Sequence, residues 1–262
     1  MDVIVLVKRV PDPEAQIEVK GDGTGVAVEE RYVMNFFDNL AVEEAIRIKE
    51  KVGGKVTAIT LGPPSSVEVL RTALAMGVDE AILVEDEAFQ GEDEFATARV
   101  LAKVVESLPH DLILCGREAF DDSSGIVGSL VGKFLGLPVV TMITKLEVYP
   151  EEGRVEVERD VEEGREVLSV SLPAVLTAQK GLNEPRVPSV MGVMKAMKAP
   201  IKKLNLRDVG LKPQEVGKEG SKLEIRRFLE VRKERKVRYI KGEPEVVVKE
   251  LVELLKSEAK VL

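Results

Sequence analysis

The chain opens with Val3-Ile4-Val5-Leu6-Val7, an unbroken apolar run made mostly of β-branched residues. Such a run is typical of a strand that is buried on both faces of a sheet. Outward from it, residues 56–61, 81–84 and 112–115 repeat the pattern. Segments with helical periodicity, about 10–15 residues long, separate these runs. This alternation predicts right-handed βαβ units on a parallel sheet.

Helices are predicted after these strands from apolar stripes and from glycines at the expected ends. They are expected at residues 38–51, with Asp38 as the cap, and at residues 65–76, 94–108 and about 123–135. The fold class that follows is α/β, with an open, mostly parallel sheet flanked by helices in the Rossmann-like manner.

The alternation is interrupted twice. Near the N-terminus, residues 16–20 and 25–29 flank a Gly-Asp-Gly-Thr turn and are expected to form a hairpin. In the second half, strands are expected at residues 138–141, 145–149, 154–160, 166–170 and 173–177. We interpret the three middle ones as an antiparallel excursion and the last as a return to the main sheet.

Periodicity weakens from about Gly181 onwards. Residues 195–240 are rich in lysine and arginine, and residues 244–262 have the pattern of an amphipathic helix with Pro244 in its first turn. An extension of this kind has too little apolar surface to form a core of its own. We therefore expect residues 1–180 to form an α/β domain and residues 181–262 to pack on a partner subunit.

Composition excludes several classes of protein. One cysteine and one histidine leave no disulfide framework and no His/Cys metal cluster. No apolar run approaches the ~20 residues that a membrane span needs. The formal net charge of -8 argues against a general nucleic-acid binder. We expect a cytoplasmic protein that binds no metal and does not span a membrane.

Candidate binding loops follow the predicted strands, because open α/β sheets bind ligands beyond the carboxyl ends of their strands. These loops are residues 8–13, 34–38, 62–66 and 116–128. The last carries small residues and hydroxyls at a predicted helix start, where backbone N–H groups and the helix dipole favour a phosphate. Ser123 and Ser124 can also serve as plain helix caps, which is the commoner role for such residues.

No covalent chemistry is indicated by the residues. Neither a GxGxxG after the first strand nor a Walker loop occurs. Cys115 ends an apolar run, which favours a buried, inert thiol, and His110 connects a helix to a strand. Asp121 and Asp122 have no base, metal ligand or oxyanion partner nearby in the sequence. The residues alone indicate a chain that binds a nucleotide-like ligand.

Longer motifs extend over nearly the whole chain. They are residues 7–12, 34–38 with 41–45, 71–77, 116–128, 157–168 with 172–177, 182–186 and 194–196. In this order they resemble the β subunits of electron transfer flavoproteins. The resemblance implies an adenine-nucleotide-hydrolase-like fold and a heterodimer whose α subunit carries a redox-active FAD. It also implies an electron carrier and not an enzyme, with flavin dehydrogenases as donors and a quinone oxidoreductase as acceptor.

The resemblance further implies an adenine nucleotide in this chain, a structural AMP in ordinary members or a second FAD in electron-bifurcating ones. The positions that it transfers are Leu6, Asn35, Phe36, Phe37, Asp38, Leu61, Gly116, Asp121, Asp122, Ser123, Ser124, Gly125, Ile126 and Val127. Phe37 corresponds to an aromatic near the partner's isoalloxazine ring, or it is a hydrophobic staple. Ile126 replaces a glutamine found in both types. AMP is favoured, and the bifurcating type stays open.

Residues 186–200 correspond to the loop by which the family recognises dehydrogenases. The residues that we expect to bind a partner are Arg186, Val190, Met191, Val193, Lys195 and Lys198. A small apolar anchor among basic residues suits weak, electrostatically steered docking, although an ordinary surface loop would have a similar composition. Ordinary members usually carry leucine at the position of Val190, so the anchor is shorter here.

Two other classes of function are kept as alternatives. One is a stand-alone adenine-nucleotide sensor that resembles universal stress proteins, against which the long extension argues. The other is a nucleic-acid protein that uses the basic stretch at residues 226–238. Glu224, Glu230 and Glu234 interrupt that stretch, which favours a solvated or partner-facing surface.

Overall fold

The computed structural model describes residues 1–91, 93–230 and 237–262. The strands are β1 (Asp2–Leu6), β2 (Arg9–Pro11), β3 (Ile17–Val19), β4 (Val26–Val28), β5 (Tyr32–Met34), β6 (Lys55–Leu61), β7 (Glu80–Val84), β8 (Leu112–Gly116), β9 (Val139–Tyr149), β10 (Arg154–Val161), β11 (Gly164–Ser171), β12 (Ala174–Ala178) and β13 (Lys202–Leu204). The helices are α1 (Phe36–Val52), α2 (Val67–Met76), α3 (Glu94–Glu106), α4 (Val127–Leu135), α5 (Val190–Lys198), α6 (Leu206–Val209), α7 (Gly217–Gly220) and α8 (Pro244–Leu254).

One large sheet organises the fold, with the strand order β11-β10-β9-β12-β8-β1-β6-β7-β13. The pairs β9–β10 and β10–β11 are antiparallel, and the other neighbouring pairs are parallel. This confirms the predicted α/β fold, the antiparallel excursion and the return of β12 to the main sheet. The hairpin near the N-terminus is also present, as β3 and β4.

Helices cover both faces of the sheet because its central strands are apolar on both sides. Val3 and Val5 join a core with α1 and α2, whereas Ile4 and Leu6 point to the opposite core with α3 and α4. Successive residues of a strand face opposite ways, so the unbroken run in β1 feeds both cores. The whole predicted stripe of α1 is buried, as expected for a helix lying on the sheet.

The order in which successive strands are added to the sheet reverses at β1. After β1 it moves through α1 to β6 and then to β7, and α3 carries it back to β8 on the other side of β1. The connections that leave the carboxyl ends of β1 and β8 therefore diverge. A crevice opens at such a switch point, and α/β proteins bind their ligands there.

Two predicted helix starts are wrong. Helix α1 begins at Phe36 with Asn35 at its N-cap, so Asp38 lies inside the first turn and not at the cap. Helix α4 begins at Val127, after the two serines expected to start it. Ser123 and Gly125 both have positive φ angles, 53° and 64°, which a right-handed helix cannot accommodate.

The two strands expected at residues 138–141 and 145–149 are a single strand, β9. Met142 has a φ of 59°, and the pairing of β9 with both neighbours shifts register nearby. An irregularity of this kind bends a strand without ending it. The sequence suggested two strands because the apolar alternation changes phase at the bend.

The segment after residue 180 contains structure that periodicity does not predict. Residues 190–198, expected to be a loop, form α5, and residues 202–204 pair with β7 as the last strand of the sheet. The predicted C-terminal helix is confirmed as α8, which continues as a π-helical turn at Leu255–Ala259. The basic stretch at residues 226–238 lies partly outside the described residues, since 231–236 are not among them.

Candidate functional site

A cavity of about 280 Å³ lies at the carboxyl ends of β1, β6 and β8, between the first turns of α3 and α4. It is lined by Leu6, Val7, Lys8, Asn35, Asp38, Leu61, Asp93, Glu94, Thr97, Leu101 and residues 115–119, 122 and 124–128. The cavity therefore occupies the switch point at which the fold predicts a ligand.

Most of the site residues inferred from the sequence come together at this cavity. Those that line it are Leu6, Asn35, Asp38, Leu61, Gly116, Asp122, Ser124, Gly125, Ile126 and Val127. Asp121 and Ser123 lie in the same loop but not in the lining, and Phe36 and Phe37 lie outside it. Their nucleotide-binding role remains a prediction.

Asp38 joins the ends of the two strands that flank the crevice. Its Oδ2 accepts a hydrogen bond of 2.8 Å from the backbone N–H of Lys8, and its Oδ1 accepts one of 2.9 Å from that of Gly116. Lys8 follows β1 and Gly116 ends β8, so one carboxyl group holds both strand ends in place. Position 116 must be glycine, because an added Cβ would collide with Asp38 and Phe37.

Burial dominates the protonation of this carboxyl group. It raises the pKa of Asp38 from 3.8 to about 7, although the two N–H donors act in the opposite direction. Cys115, one residue before Gly116, is buried, and burial raises the pKa of its thiol. A thiol of this kind is neutral at physiological pH and is a poor nucleophile, as the sequence indicated.

The loop between β8 and α4 is held by side chains from the first half of the chain. Asn35 Nδ2 donates to Glu118 O at 2.8 Å, and Asn35 Oδ1 accepts from the N–H of Phe120 at 3.3 Å. Lys8 Nζ forms ion pairs with Asp121 and Asp122 at 2.8 Å and 2.7 Å. Asp121 therefore contributes through the ion pair that fixes the loop.

The start of α4 presents donors to the cavity. Its N-cap, Ile126, makes no side-chain capping bond, so neither serine caps the helix. The first backbone N–H groups of a helix have no partner within it, and they attract anions. The buried Nε of Arg117, which also lines the cavity, has no acceptor among the described residues. This end of the cavity suits a phosphate.

Gly128 allows α4 to start close to the sheet. A Cβ at this position would lie 2.6 Å from Cys115 Sγ and 2.9 Å from Thr177 Cγ2. Any larger residue would push the helix start, with its N–H groups, away from β8.

The wall of the cavity on the side of α3 was missed by the sequence reasoning. It consists of Asp93, Glu94, Thr97 and Leu101. A usable signal existed, because α3 follows β7 and so begins at the same edge of the sheet as the predicted loops. The motifs that resemble the family do not contain these residues.

The expected dehydrogenase-recognition segment is seated firmly on the α/β domain. Arg186 contacts Glu43 at 2.8 Å and Glu50 at 2.6 Å, so its guanidinium is engaged within the chain. Arg71 Nη1 donates to the carbonyls of Ala196 and Ala199 at the end of α5. The contacts of Arg186 hold the segment before α5, and those of Arg71 hold the C-terminal end of the helix.

The outer face of α5 is apolar and exposed. Its exposed apolar side chains are Val190, Met191, Val193, Met194 and Met197. Lys195 and Lys198 lie on the same helix, and the role of this surface in docking remains a prediction. Three of these side chains are methionines, whose flexibility suits adaptable contacts.

Three aromatic rings cluster beside the loop between β8 and α4. The ring centroids of Phe36, Phe37 and Phe120 lie 5.4 to 6.1 Å apart. Phe37 is buried at 7% exposure, whereas Phe36 and Phe120 are 38% and 44% exposed. A partner that approached this cluster would meet Phe36 and Phe120 first.

Comparison with known proteins assigns the family. A model of the electron transfer flavoprotein domain matches residues 24–209. The chain is 42% identical to the electron transfer flavoprotein subunit beta of Bacillus subtilis, with 100% of both chains covered. The chain belongs to the electron transfer flavoprotein β-subunit family. Another member, from Thermoanaerobacterium thermosaccharolyticum, is 41% identical over 98% of each chain.

Membership in the electron transfer flavoprotein family confirms the resemblance drawn from the motifs. The family's role is electron transfer, which favours this function over the sensor and nucleic-acid alternatives. A further relative is subunit CarD of the caffeyl-CoA reductase-Etf complex of Acetobacterium woodii, 40% identical over 86% of each chain.

None of the helices in the described part of the chain has the length and apolar character to cross a membrane. Within the same residues, no group of three or more His, Cys, Asp or Glu side chains is arranged to hold a metal ion.

Proposed function

We propose that this chain is the β subunit of a heterodimeric electron transfer flavoprotein and that it binds AMP in the switch-point cavity. Its α partner would carry the FAD, which supplies reversible uptake and release of electrons. Electrons would pass from flavin dehydrogenases to a quinone oxidoreductase. The observation that supports the nucleotide site is that three features meet at one cavity. They are the N-terminus of α4, the Nε of Arg117, and the ends of β1 and β8 that Asp38 holds together.

The size and lining of the cavity favour AMP over a larger nucleotide. Its volume of about 280 Å³ is near the lower end of the ~300–1,000 Å³ typical of ligand pockets. Leu6, Leu61 and Leu101 supply apolar surface for a base, and the loop with Gly125 supplies backbone N–H groups for a phosphate. Burial and the nearby Asp38 raise the pKa of the Cys115 thiol in the lining, which makes it a poor nucleophile.

In this proposal the residues of the chain bind and position, and they transfer no bond. The nucleotide stabilises the folded state because the unfolded chain cannot bind it. The exposed face of α5 docks a flavin dehydrogenase weakly, which permits fast exchange of partners. The aromatic cluster of Phe36 and Phe120 faces the α partner and supports its flavin from one side.

A bifurcating subunit with a second FAD is the second candidate. The pair Val127-Gly128 favours this alternative, because it resembles the corresponding run in bifurcating members. In that case the adenylate half of the FAD would occupy the cavity, and the rest would extend past Ile126, which is exposed at its mouth.

Counting ligands decides between the two candidates. The chain is co-expressed with its α partner, the heterodimer is purified, and the ligands released by denaturation are quantified by chromatography. We expect one FAD and one AMP per heterodimer. Two FAD and no AMP per heterodimer would establish the bifurcating type. One FAD and no AMP would contradict a nucleotide site in this chain.

A charge placed in the phosphate loop should remove the AMP. Gly125 has a φ of 64°, so every side chain is strained there, and Gly125→Gln serves as a control for strain and bulk. Gly125→Glu adds a negative charge where the phosphate would lie. We expect AMP content to fall at least tenfold below that of the glutamine variant, with weaker heterodimer assembly. Equal AMP content in the two variants would place the phosphate elsewhere.

A further inference from the structure

The C-terminal extension leaves the α/β domain beside the candidate nucleotide cavity. After α7, the chain passes through Ser221, Lys222 and Leu223, which we call the arm root. The arm root lies against the first turn of α3, whose residues Glu94 and Thr97 line the cavity. Asp93, the N-cap of α3, also lines the cavity and contacts the arm root directly.

Asp93 binds the helix with one oxygen and the arm root with the other. Its Oδ1 accepts from the N–H of Ala96 at 2.9 Å. Its Oδ2 accepts from the N–H groups of Lys222 and Leu223 at 2.5 Å and 2.9 Å. The backbone N–H of Asp93 donates to Ser221 Oγ at 2.9 Å.

A carboxylate is the group that this arrangement requires. Burial alone would raise the pKa of Asp93, but the N–H donors of Ala96, Lys222 and Leu223 outweigh burial and hold it below its ordinary value. An amide has a single acceptor oxygen, so it could accept from the N–H of Ala96 or from those of the arm root, but not from both. Lys222 adds a second contact, since its Nζ lies 5.4 Å from the centre of the Phe95 ring on α3.

We propose that Asp93 is a positioning residue that fixes the arm root to the wall of the nucleotide cavity, so that a nucleotide in the cavity stiffens the base of the C-terminal arm. This inference rests on the proposed function, because the ligand is the adenine nucleotide assigned there. The physical link is short: the residue that caps α3 and lines the cavity is the one that accepts both arm-root amides.

Asp86 provides a matched control. It also caps a short helical turn, accepting from the N–H of Ala88 at 3.0 Å, and it also holds a distant segment, through the N–H of Leu206 at 3.1 Å. Asp86 does not line the cavity. A substitution there removes the same kinds of contact without touching the proposed link.

The test measures hydrogen exchange of the Lys222 and Leu223 amides in the full-length chain, with and without AMP, while calorimetry measures AMP binding. Asp93→Asn is compared with Asp86→Asn. Asp93→Ser is the second variant, because serine keeps the helix cap but is too short to reach the arm root. We expect both Asp93 variants to exchange at these amides at least tenfold faster than wild type. Asp86→Asn should leave them unchanged.

In the wild type, AMP should slow exchange at the arm root at least threefold, and in the Asp93 variants it should have no such effect. Unchanged exchange in the Asp93 variants would overturn the anchoring role. AMP that binds by calorimetry without slowing exchange in the wild type would overturn the coupling. Absence of AMP binding in the wild type would overturn the proposed nucleotide site and the coupling together, and calorimetry separates this result from the other two.

Discussion

At the scale of single residues, Asp38 and Lys8 show how the crevice is held open in one shape. Asp38 fixes the ends of β1 and β8 from inside, and Lys8 fixes the loop after β8 from outside through Asp121 and Asp122. The inner contact is buried, and its two N–H donors favour the ionised carboxylate while burial favours the neutral acid. The outer one is partly exposed and contributes little by itself, as surface ion pairs do.

The stability of the chain should depend on pH through Asp38. Its pKa in the folded chain, about 7, lies above the value of 3.8 expected when unfolded, so its contribution is full below about pH 4 and is lost as the pH rises through 7. Between pH 5 and pH 7 we expect this residue to lower the free energy of unfolding by about 2 kcal/mol.

Asp38→Asn removes the titrating group and should remove this part of the pH dependence. Urea unfolding of both chains at pH 5, 6 and 7 measures the difference. If the free energy of unfolding changed with pH in the same way in both chains, Asp38 would be ionised in the folded state over this pH range.

Sequence reasoning identified Asp38 and the loop at residues 116–128 but misassigned some roles within them. Asp38 looked like a helix cap because an acidic residue just before an apolar stripe is a common helix start. Ser123 and Ser124 looked like caps for the same reason. The positive φ of Ser123 and Gly125 decides against this, and backbone angles in a loop depend on contacts that distant residues such as Lys8 and Asn35 make.

At the scale of elements, α5 is the clearest departure from the sequence pattern. It has only nine residues, includes Gly192 and lies between two prolines, so its periodicity is too short to indicate a helix. Its support comes from outside, since Arg71 binds its last carbonyls and Gly192 packs on the backbone of Ala75. By contrast, α1 and α3 have 17 and 13 residues, which is long enough for their apolar stripes to be recognised.

The apolar face of α5 should decide dehydrogenase docking. Met191 is 69% exposed, so Met191→Asp should disturb the surface without disturbing the fold. We expect the KM for a reduced flavin dehydrogenase to rise at least tenfold, with FAD content of the heterodimer unchanged, because a desolvated anchor is lost from the interface.

Ile17→Asp is the control for this prediction, because Ile17 is a comparably exposed apolar residue, at 57%, on the N-terminal hairpin. It should leave the KM near the wild-type value. Equal effects of the two substitutions would mean that α5 is not the docking surface.

At the scale of the whole molecule, the strand order determines where a ligand can bind. The apolar runs predict the strands, but no local pattern states that β8 lies beside β1 while β6 lies on its other side. Only that order brings Leu6, Leu61 and Gly116 to one cavity. The motifs supplied the same residues through resemblance, which is why most of the cavity lining was anticipated, while the α3 wall, which no motif contains, was missed.

A ligand at the centre of the sheet should stabilise the whole fold. For the chain freed of nucleotide, AMP at about 100 times its Kd should raise the free energy of unfolding by about 2.7 kcal/mol. Adenosine, which lacks the phosphate, should stabilise much less at the same concentration. Urea unfolding over a range of each compound measures both effects, and midpoints that do not respond to AMP would contradict a specific site.

The pairing of β13 with β7 has a consequence for biosynthesis. On the ribosome, the edge of β7 is complete once Val84 has emerged, but the strand that covers it ends at Leu204 and is made much later. An open strand edge invites pairing with other chains. The nascent chain therefore passes through a stage in which its sheet is exposed on that side, and during this interval it is more prone to aggregate than the finished chain.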